Sequence, residues 1–204
     1  MCSMQVARLG LPAGTTQAAA HISGRLAEVR ATPLARLAAQ EVLERVVNAR
    51  LYSTLRDAQG LVYQATSRFK DDSYTITLMA APDAVETASA SALEVMRALA
   101  KQDQPVTRRE LRIALRGVHA VMEERRRSPE WCVRQLQATR SGVEDTHAAA
   151  KDGPFMELLL GRGYEQELKF LKRKDLYAPL EGADEKSVQV IASPGKPQGF
   201  SVAT

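Results

Sequence analysis

Three kinds of side chain are scarce in this chain, and each shortage removes a class of function. Aromatic residues fill 5% of its 204 positions although apolar residues reach 45%, much of them alanine. Such a core favours closely packed helices over an aromatic-rich β-sandwich. The two cysteines, Cys2 and Cys132, stand in unrelated contexts with no CxxC or Cys/His spacing. Neither a zinc knuckle nor a disulfide framework is implied, and a reducing compartment is the natural reading. Trp131 and Val133 beside Cys132 suggest a buried thiol rather than a nucleophile. Histidines number three, His21, His119 and His147, and none belongs to an HxxEH-type motif. Such a motif would set two zinc ligands and a catalytic glutamate on one helix. His119 and Glu123 lie four apart on a predicted helix and could share a metal by geometry, but a solvated helix face is the commoner origin of such a pair. Residues 10–14 are glycine-flanked without the Lys-Ser/Thr of a P-loop, and no GxSxG elbow occurs. No apolar run approaches the length of a membrane span. Self-contained hydrolysis therefore has no visible machinery.

Acidic residues are missing from the start of the chain. None precedes Glu28, whereas Ser3, Arg8, Thr15, Thr16, Ser23 and Arg25 all do. This composition suits an organellar targeting peptide, and it equally suits a basic first strand, because residues 4–9 alternate in polarity. Over the whole chain the net charge is a mild +4. Arg108, Arg109, Arg112, Arg116 and residues 125–127 gather arginine on predicted helical turns. Glu110, Glu123 and Glu124 dilute that patch, and no aromatic stacking platform accompanies it, so a solvated helix face outweighs nucleic-acid binding.

Hydrophobic periodicity supplies the organisation. The small residues of 13–24 read as a loop. Thr32-Pro33, a cap followed by proline at the first helical position, opens a helix with Leu34, Leu37, Ala38, Val42, Val46 and Val47 on one side. Residues 48–55 read as a second, short helix ending near Asp57. Alternation over 73–80 marks a half-buried strand, and 61–69 reads as its hairpin partner. Asp83 with Glu86, and again Thr107 with Glu110, form capping-box patterns that open two helices. The first carries Val85, Ala88, Ala92, Val95 and Leu99, the second Leu111, Leu115, Val118 and Met122. Ser128-Pro129 starts a third helix, with Trp131, Val133 and Leu136. A weaker helical stretch over 155–171 is interrupted by Gly161 and Gly163, and 187–192 reads as a last strand. The fold class expected is α+β, an antiparallel sheet covered on one face by helices. The expected divisions are 1–31, an N-terminal strand and loop; 32–193, the domain proper; and 194–204, a loose tail.

The run Asn-Ala-Arg-Leu-Tyr-Ser-Thr-Leu-Arg-Asp-Ala-Gln-Gly-Leu-Val-Tyr over 48–63 resembles the "RL…LR…GL.Y" signature of the pitrilysin (insulinase-type, M16) metallopeptidase family. Val106-Thr107-Arg108-Arg109-Glu110-Leu111, with Ala114, is similar to that family's "(I/V)T..EL..A" helix opening. The likeness runs in unbroken order from about Leu34 to Leu136, and among the family's members the chain resembles the C-terminal part of plastid stromal processing peptidase and its bacterial relatives. By that resemblance the fold is one α+β unit of a pair that closes around an extended peptide. One unit carries zinc; its partner supplies an arginine and a tyrosine seven residues apart, matched here by Arg56 and Tyr63. An arginine fork suits peptide carbonyls, and a tyrosine hydroxyl can donate to an oxyanion as charge develops.

Each of these residues has a plainer reading. Arg56 could cap its helix or pair with Asp57, Tyr63 could be an ordinary strand aromatic, and Trp131 reads as a core anchor. Gly60 is expected to supply backbone freedom where helix turns into strand. The chain is too short to hold a zinc-bearing unit beside this one, so a fragment, a split subunit or a degenerate relative is expected. No catalytic residue, metal or cofactor is expected in it, and zinc only in a partner. That partner is another M16-type unit, or else a large organellar complex in which the fold is a scaffold. The plastid stroma is the favoured compartment and the mitochondrial matrix the alternative.

Overall fold

The computed structural model describes residues 5–8, 16–27, 32–70, 72–130, 133, 162–180 and 189–192. Among the described residues five strands form one sheet: β1 (Gln5–Arg8), β2 (Ala18–Arg25), β3 (Val62–Lys70), β4 (Ser73–Ala80) and β5 (Gln189–Ala192). Their order is β1-β5-β2-β4-β3. All neighbours are antiparallel except β1 and β5, which run parallel at one edge. The helices are α1 (Pro33–Leu51), α2 (Val85–Ala100), α3 (Arg108–Arg127), α4 (Arg162–Phe170) and α5 (Arg173–Tyr177). The fold is thus α+β as expected.

Alternation along the strands decides which face is covered. Ala18, Ala20 and Ile22 of β2 and Tyr74, Ile76, Leu78 and Ala80 of β4 are buried, on the face where α1 and α2 pack. The intervening His21, Thr75 and Arg68 stay exposed. From α1 the sheet receives Val42, Leu43, Val46, Val47 and Leu51, all buried. Each such side chain contributes on the order of 2 kcal/mol on leaving water.

Several expectations hold and several fail. The 61–69/73–80 hairpin forms in register, Phe69 opposite Tyr74. Thr32 caps α1 by accepting the Ala35 amide at 3.1 Å. Thr107 and Glu110 complete a reciprocal capping box on α3. By contrast, Asp83 and Glu86 do not cap α2: its N-cap residue is Ala84, without a side-chain hydrogen bond. The small-residue stretch read as a loop holds a central strand, β2. Its smallness has a cause, since the Tyr74 ring lies where a Cβ on Gly24 would be, at 2.5 Å. The short second helix is no separate element, because α1 continues directly into a π-helical turn over Tyr52–Ala58. Gly163 lies inside α4 rather than interrupting it. Val133 is exposed, against the expected burial around Cys132, and Trp131, Cys132, Leu136 and the 194–204 tail lie outside the described residues.

Candidate functional site

The site begins where α1 changes pitch. A π-helix carries each backbone hydrogen bond one residue further than an α-helix, which widens the spiral, and such turns occur frequently at functional sites. Here it covers Tyr52–Ala58 and places Tyr52 and Arg56 on the outside while Leu55 remains fully buried. The turn closes with the Gly60 amide donating to the Arg56 carbonyl at 3.1 Å and the Leu61 amide to the Leu55 carbonyl at 2.8 Å. Each bond reaches one residue further back than in the Schellman cap of an α-helix, as a π-helical ending requires. Gly60 takes φ +64°, a left-handed value that side-chain-bearing residues rarely adopt, and a Cβ there would meet nothing within 4 Å. Glycine is thus required at this turn for its backbone, not for space.

Immediately after the turn, β3 carries an irregularity between Val62 and Gln64, so that Tyr63 stands outside the regular ladder with β4. Its side chain is 52% exposed. Arg56 reaches across the turn and donates from Nη1 to the Tyr63 carbonyl at 3.1 Å. The guanidinium also lies over the Tyr52 ring, 5.1 Å from its centroid, a cation–π contact. Arg56 therefore neither pairs with Asp57 nor caps its own helix. The fold brings the two sequence-matched residues together and holds the arginine by its backbone and aromatic neighbours. Tyr52 is the member the sequence reading missed. Its spacing of four from Arg56 in a helix was the available signal.

This outward trio rests on a rigid base. Asn48, in the last turns of α1, accepts the Ser67 amide at 2.5 Å and the Ser67 hydroxyl at 3.0 Å. Glu44, one turn earlier, accepts the Phe69 amide at 3.2 Å. The outer edge of β3 is therefore fastened to α1 by side chains. Arg50 fastens the same helix to α3 through Glu110.

The described residues do not make a metal site. No group of three His, Cys, Asp or Glu among them could hold an ion. His21 shares a hydrogen bond of 3.1 Å with Thr77 on the open sheet face, and Glu123 faces Arg127 at 4.0 Å rather than joining His119 in a ligand set. Among the described residues no helix is long and apolar enough to cross a membrane.

Comparison with known proteins bears on this geometry. Residues 30–118 match the family described as Peptidase M16 inactive domain. No curated protein matches the sequence. Among solved structures, the peptidase M16 inactive domain from Pseudomonas fluorescens has a TM-score of 0.70 at 16% identity, over 97% of this chain and 45% of its own. The periplasmic protease PqqL from Escherichia coli gives 0.66 at 14% identity, over 96% of this chain and 21% of that one. A protease from Helicobacter pylori gives 0.66 at 14%, over 92% and 43%. This chain thus spans less than half the length of each of the three. Residues 30–118 thus resemble that family in sequence, and nearly the whole chain shares the fold of these three structures.

Proposed function

We propose that this chain is a non-catalytic M16-type unit that holds an extended peptide for a zinc-bearing partner, with Arg56 and Tyr63 as its peptide contacts. The observation that carries the reading is their juxtaposition in the open: both side chains are exposed, on either side of the Gly60 turn, and joined by one hydrogen bond. That bond uses one of the five N–H donors of the guanidinium and fixes its plane, which leaves the others for peptide carbonyls. The Tyr63 hydroxyl has no partner among the described residues and can donate to a carbonyl oxygen as negative charge builds on it. Zinc belongs to the partner in this reading, and no step of the chemistry is assigned to this chain beyond binding and orientation. That two of the similar structures are of proteases supports a peptide as the ligand.

The competing reading, a scaffold subunit of a large organellar complex, expects Arg56 or Tyr63 to be buried or occupied by contacts, with no open cleft. The exposed Tyr63 side chain supports the peptide reading, whereas the Arg56 contacts with the Tyr63 carbonyl and the Tyr52 ring suit either. An organellar setting, the plastid stroma first and the mitochondrial matrix second, belongs to the same proposal and rests on the sequence likeness and on the absence of acidic residues before Glu28.

A native pull-down of the tagged chain, with mass spectrometry of partners and zinc analysis of the eluate, tests the proposal. Recovery of an HxxEH-bearing partner with stoichiometric zinc and peptidase activity is the expected result. Arg56→Ala and Tyr63→Phe should then each lower turnover by roughly a hundredfold, the lower end of the range for a single oxyanion donor. Recovery of a large zinc-free assembly without peptidase activity would overturn it.

A further inference from the structure

A second surface lies at the other end of β3. A groove of about 710 Å³ runs between α1 and α3 and meets the strand at Arg68, Phe69 and Lys70. Leu37, Val46, Ala114, Val118 and Val121 give it aliphatic walls. Its charges are unevenly used. Glu41 is taken by Arg125 at 2.7 Å and by the Tyr164 hydroxyl. Glu110 is taken by Arg50 and by the Thr107 amide. Glu44 accepts the Phe69 amide and feels the field of Arg68 and Arg45 without pairing with either. Arg45, Arg68 and Lys70 are left facing the groove with no carboxylate in ion-pair range among the described residues.

Two further features make this a shaped surface. The Arg45 guanidinium lies against the α3 backbone at Gly117, where an added Cβ would sit 2.6 Å from its Nη1. Glycine at 117 therefore lets the helix approach the cation and holds it at the groove. On the α3 side Ile113 lines the groove with 59% of its surface exposed. Exposed Arg109 and Arg116 stand one turn before and after it on the helix.

We infer that this groove receives an acidic, extended segment of a partner protein, with carboxylates on Arg45, Arg68 and Lys70 and an apolar side chain against Ile113. Arginine forks match carboxylates, and the aliphatic walls suit a leucine-like side chain. Glu41, Glu44 and Glu110 line the same groove, so a continuous phosphate backbone would meet three carboxylates, whereas a polypeptide can space its acidic residues around them. No exposed aromatic lines the groove to stack a base. The segment docks through side chains and not by adding a strand, because the Ser67 and Phe69 amides are already bound by Asn48 and Glu44. Seven residues of β3 separate Lys70 from Tyr63, about 20 Å along a strand. The inference therefore stands apart from the peptide-holding reading.

Fluorescence anisotropy on the full chain tests it. The probe is a fluorescein-labelled peptide of glutamate with leucine at every fourth position; the comparators are its lysine counterpart and a single-stranded oligonucleotide of equal charge. The acidic peptide should bind and the lysine peptide should not. Arg68→Gln with Lys70→Gln, at two exposed strand positions, should weaken binding about tenfold or more, and Ile113→Ser several-fold. Arg56→Ala and Tyr63→Phe should leave it unchanged. The inference fails if the acidic peptide does not bind or the double variant binds it equally well. It also fails if the oligonucleotide binds as tightly with the same sensitivity to substitution, which would assign the surface to nucleic acid.

Discussion

Arg50, at the end of α1, and Glu110, in the first turn of α3, are locked side by side. Nε donates to Oε1 at 2.8 Å and Nη2 to Oε2 at 3.1 Å. The same guanidinium donates to the carbonyls of Gln104 and Pro105 at 2.6 and 3.1 Å, while Glu110 accepts the Thr107 amide at 2.7 Å. One ion pair thus ties a helix end, the loop before α3 and that helix's capping box into a single unit. Arg50 belongs to the "RL" stretch and Glu110 to the "T..EL" stretch on which the family likeness rests. The two motifs, distant in sequence, meet in this one contact.

A pH dependence follows from that contact. Burial alone would raise the Glu110 carboxyl, but the Arg50 hydrogen bond and the Thr107 amide outweigh it and hold the group down at about 2, against an ordinary 4.5. A carboxyl depressed on folding adds stability that is complete above its unfolded value and is lost as pH falls toward the folded one. Glu110→Gln should cost about 2 kcal/mol at neutral pH, read by urea denaturation. Its stability should also vary less than wild type between the two values. An unchanged slope in that window would exclude Glu110 as its source.

Two glycines should respond in opposite proportion to the space around them. Gly60→Ala meets no atom but must hold a left-handed φ, a strain of about 1 kcal/mol. Gly60→Asn, which tolerates that region, should recover part of the loss. Gly24→Ala has no such backbone burden, yet its Cβ would overlap the Tyr74 ring that stacks on Phe69 with centroids 6.0 Å apart. Displacing that ring should cost about 2–3 kcal/mol. Thermal melts of the three variants should therefore rank Gly24→Ala lowest.

Elements with strong local signals were legible in the sequence. The β3–β4 hairpin, the Thr32 and Thr107 caps and the buried stripe of α1 follow from periodicity and cap chemistry that act within a few residues. The central strand β2 was not legible, because its Ala-Ala-Ala-His-Ile-Ser-Gly-Arg sequence is shaped by neighbours. Small residues there admit the packing of Tyr74 and the helices, and no local rule marks them as strand. The α2 start failed for the opposite reason: a capping-box pattern was present at Asp83 and Glu86, but the helix begins at Val85 with Ala84 at the cap, one residue out of step with it. Arg56 and Tyr63 were found through spacing within a motif. Tyr52 carried a signal in its spacing of four from Arg56 that the motif reading passed over. The Arg50–Glu110 contact depends on the α1–α3 packing, which a single sequence does not display.

Glu44 makes the opposite pH prediction to Glu110. Burial pushes its carboxyl up, more than the Phe69 amide and Arg68 pull it down. A carboxyl raised on folding favours the native state fully below its unfolded value, and that advantage disappears as pH rises through the folded one. At neutral pH the charge is therefore a burden on the fold. Glu44→Gln keeps an oxygen for the Phe69 amide without the charge, so it should unfold at a higher temperature than wild type at pH 7. The gain should vanish below about pH 4. A variant less stable at both pH values would show that the carboxylate itself is needed at the β3 edge.

The docking of α4 should depend on one hydroxyl. Tyr164 is fully buried and donates to Glu41 at 2.5 Å, while the second Glu41 oxygen accepts Arg125 at 2.7 Å. Burial, then the Glu41 charge, holds the phenol far above its ordinary range, so it remains a donor at any working pH. Tyr164→Phe keeps the ring in the core and removes only the donor to a charged acceptor, at a cost of about 1.5–3 kcal/mol. Glu41 still has Arg125, so the loss should fall on α4 rather than on the whole fold. Hydrogen exchange should then quicken about tenfold or more in the α4 amides and stay unchanged in α2. Uniform acceleration across both helices would mean that the hydroxyl supports the entire domain and not the seat of α4 alone.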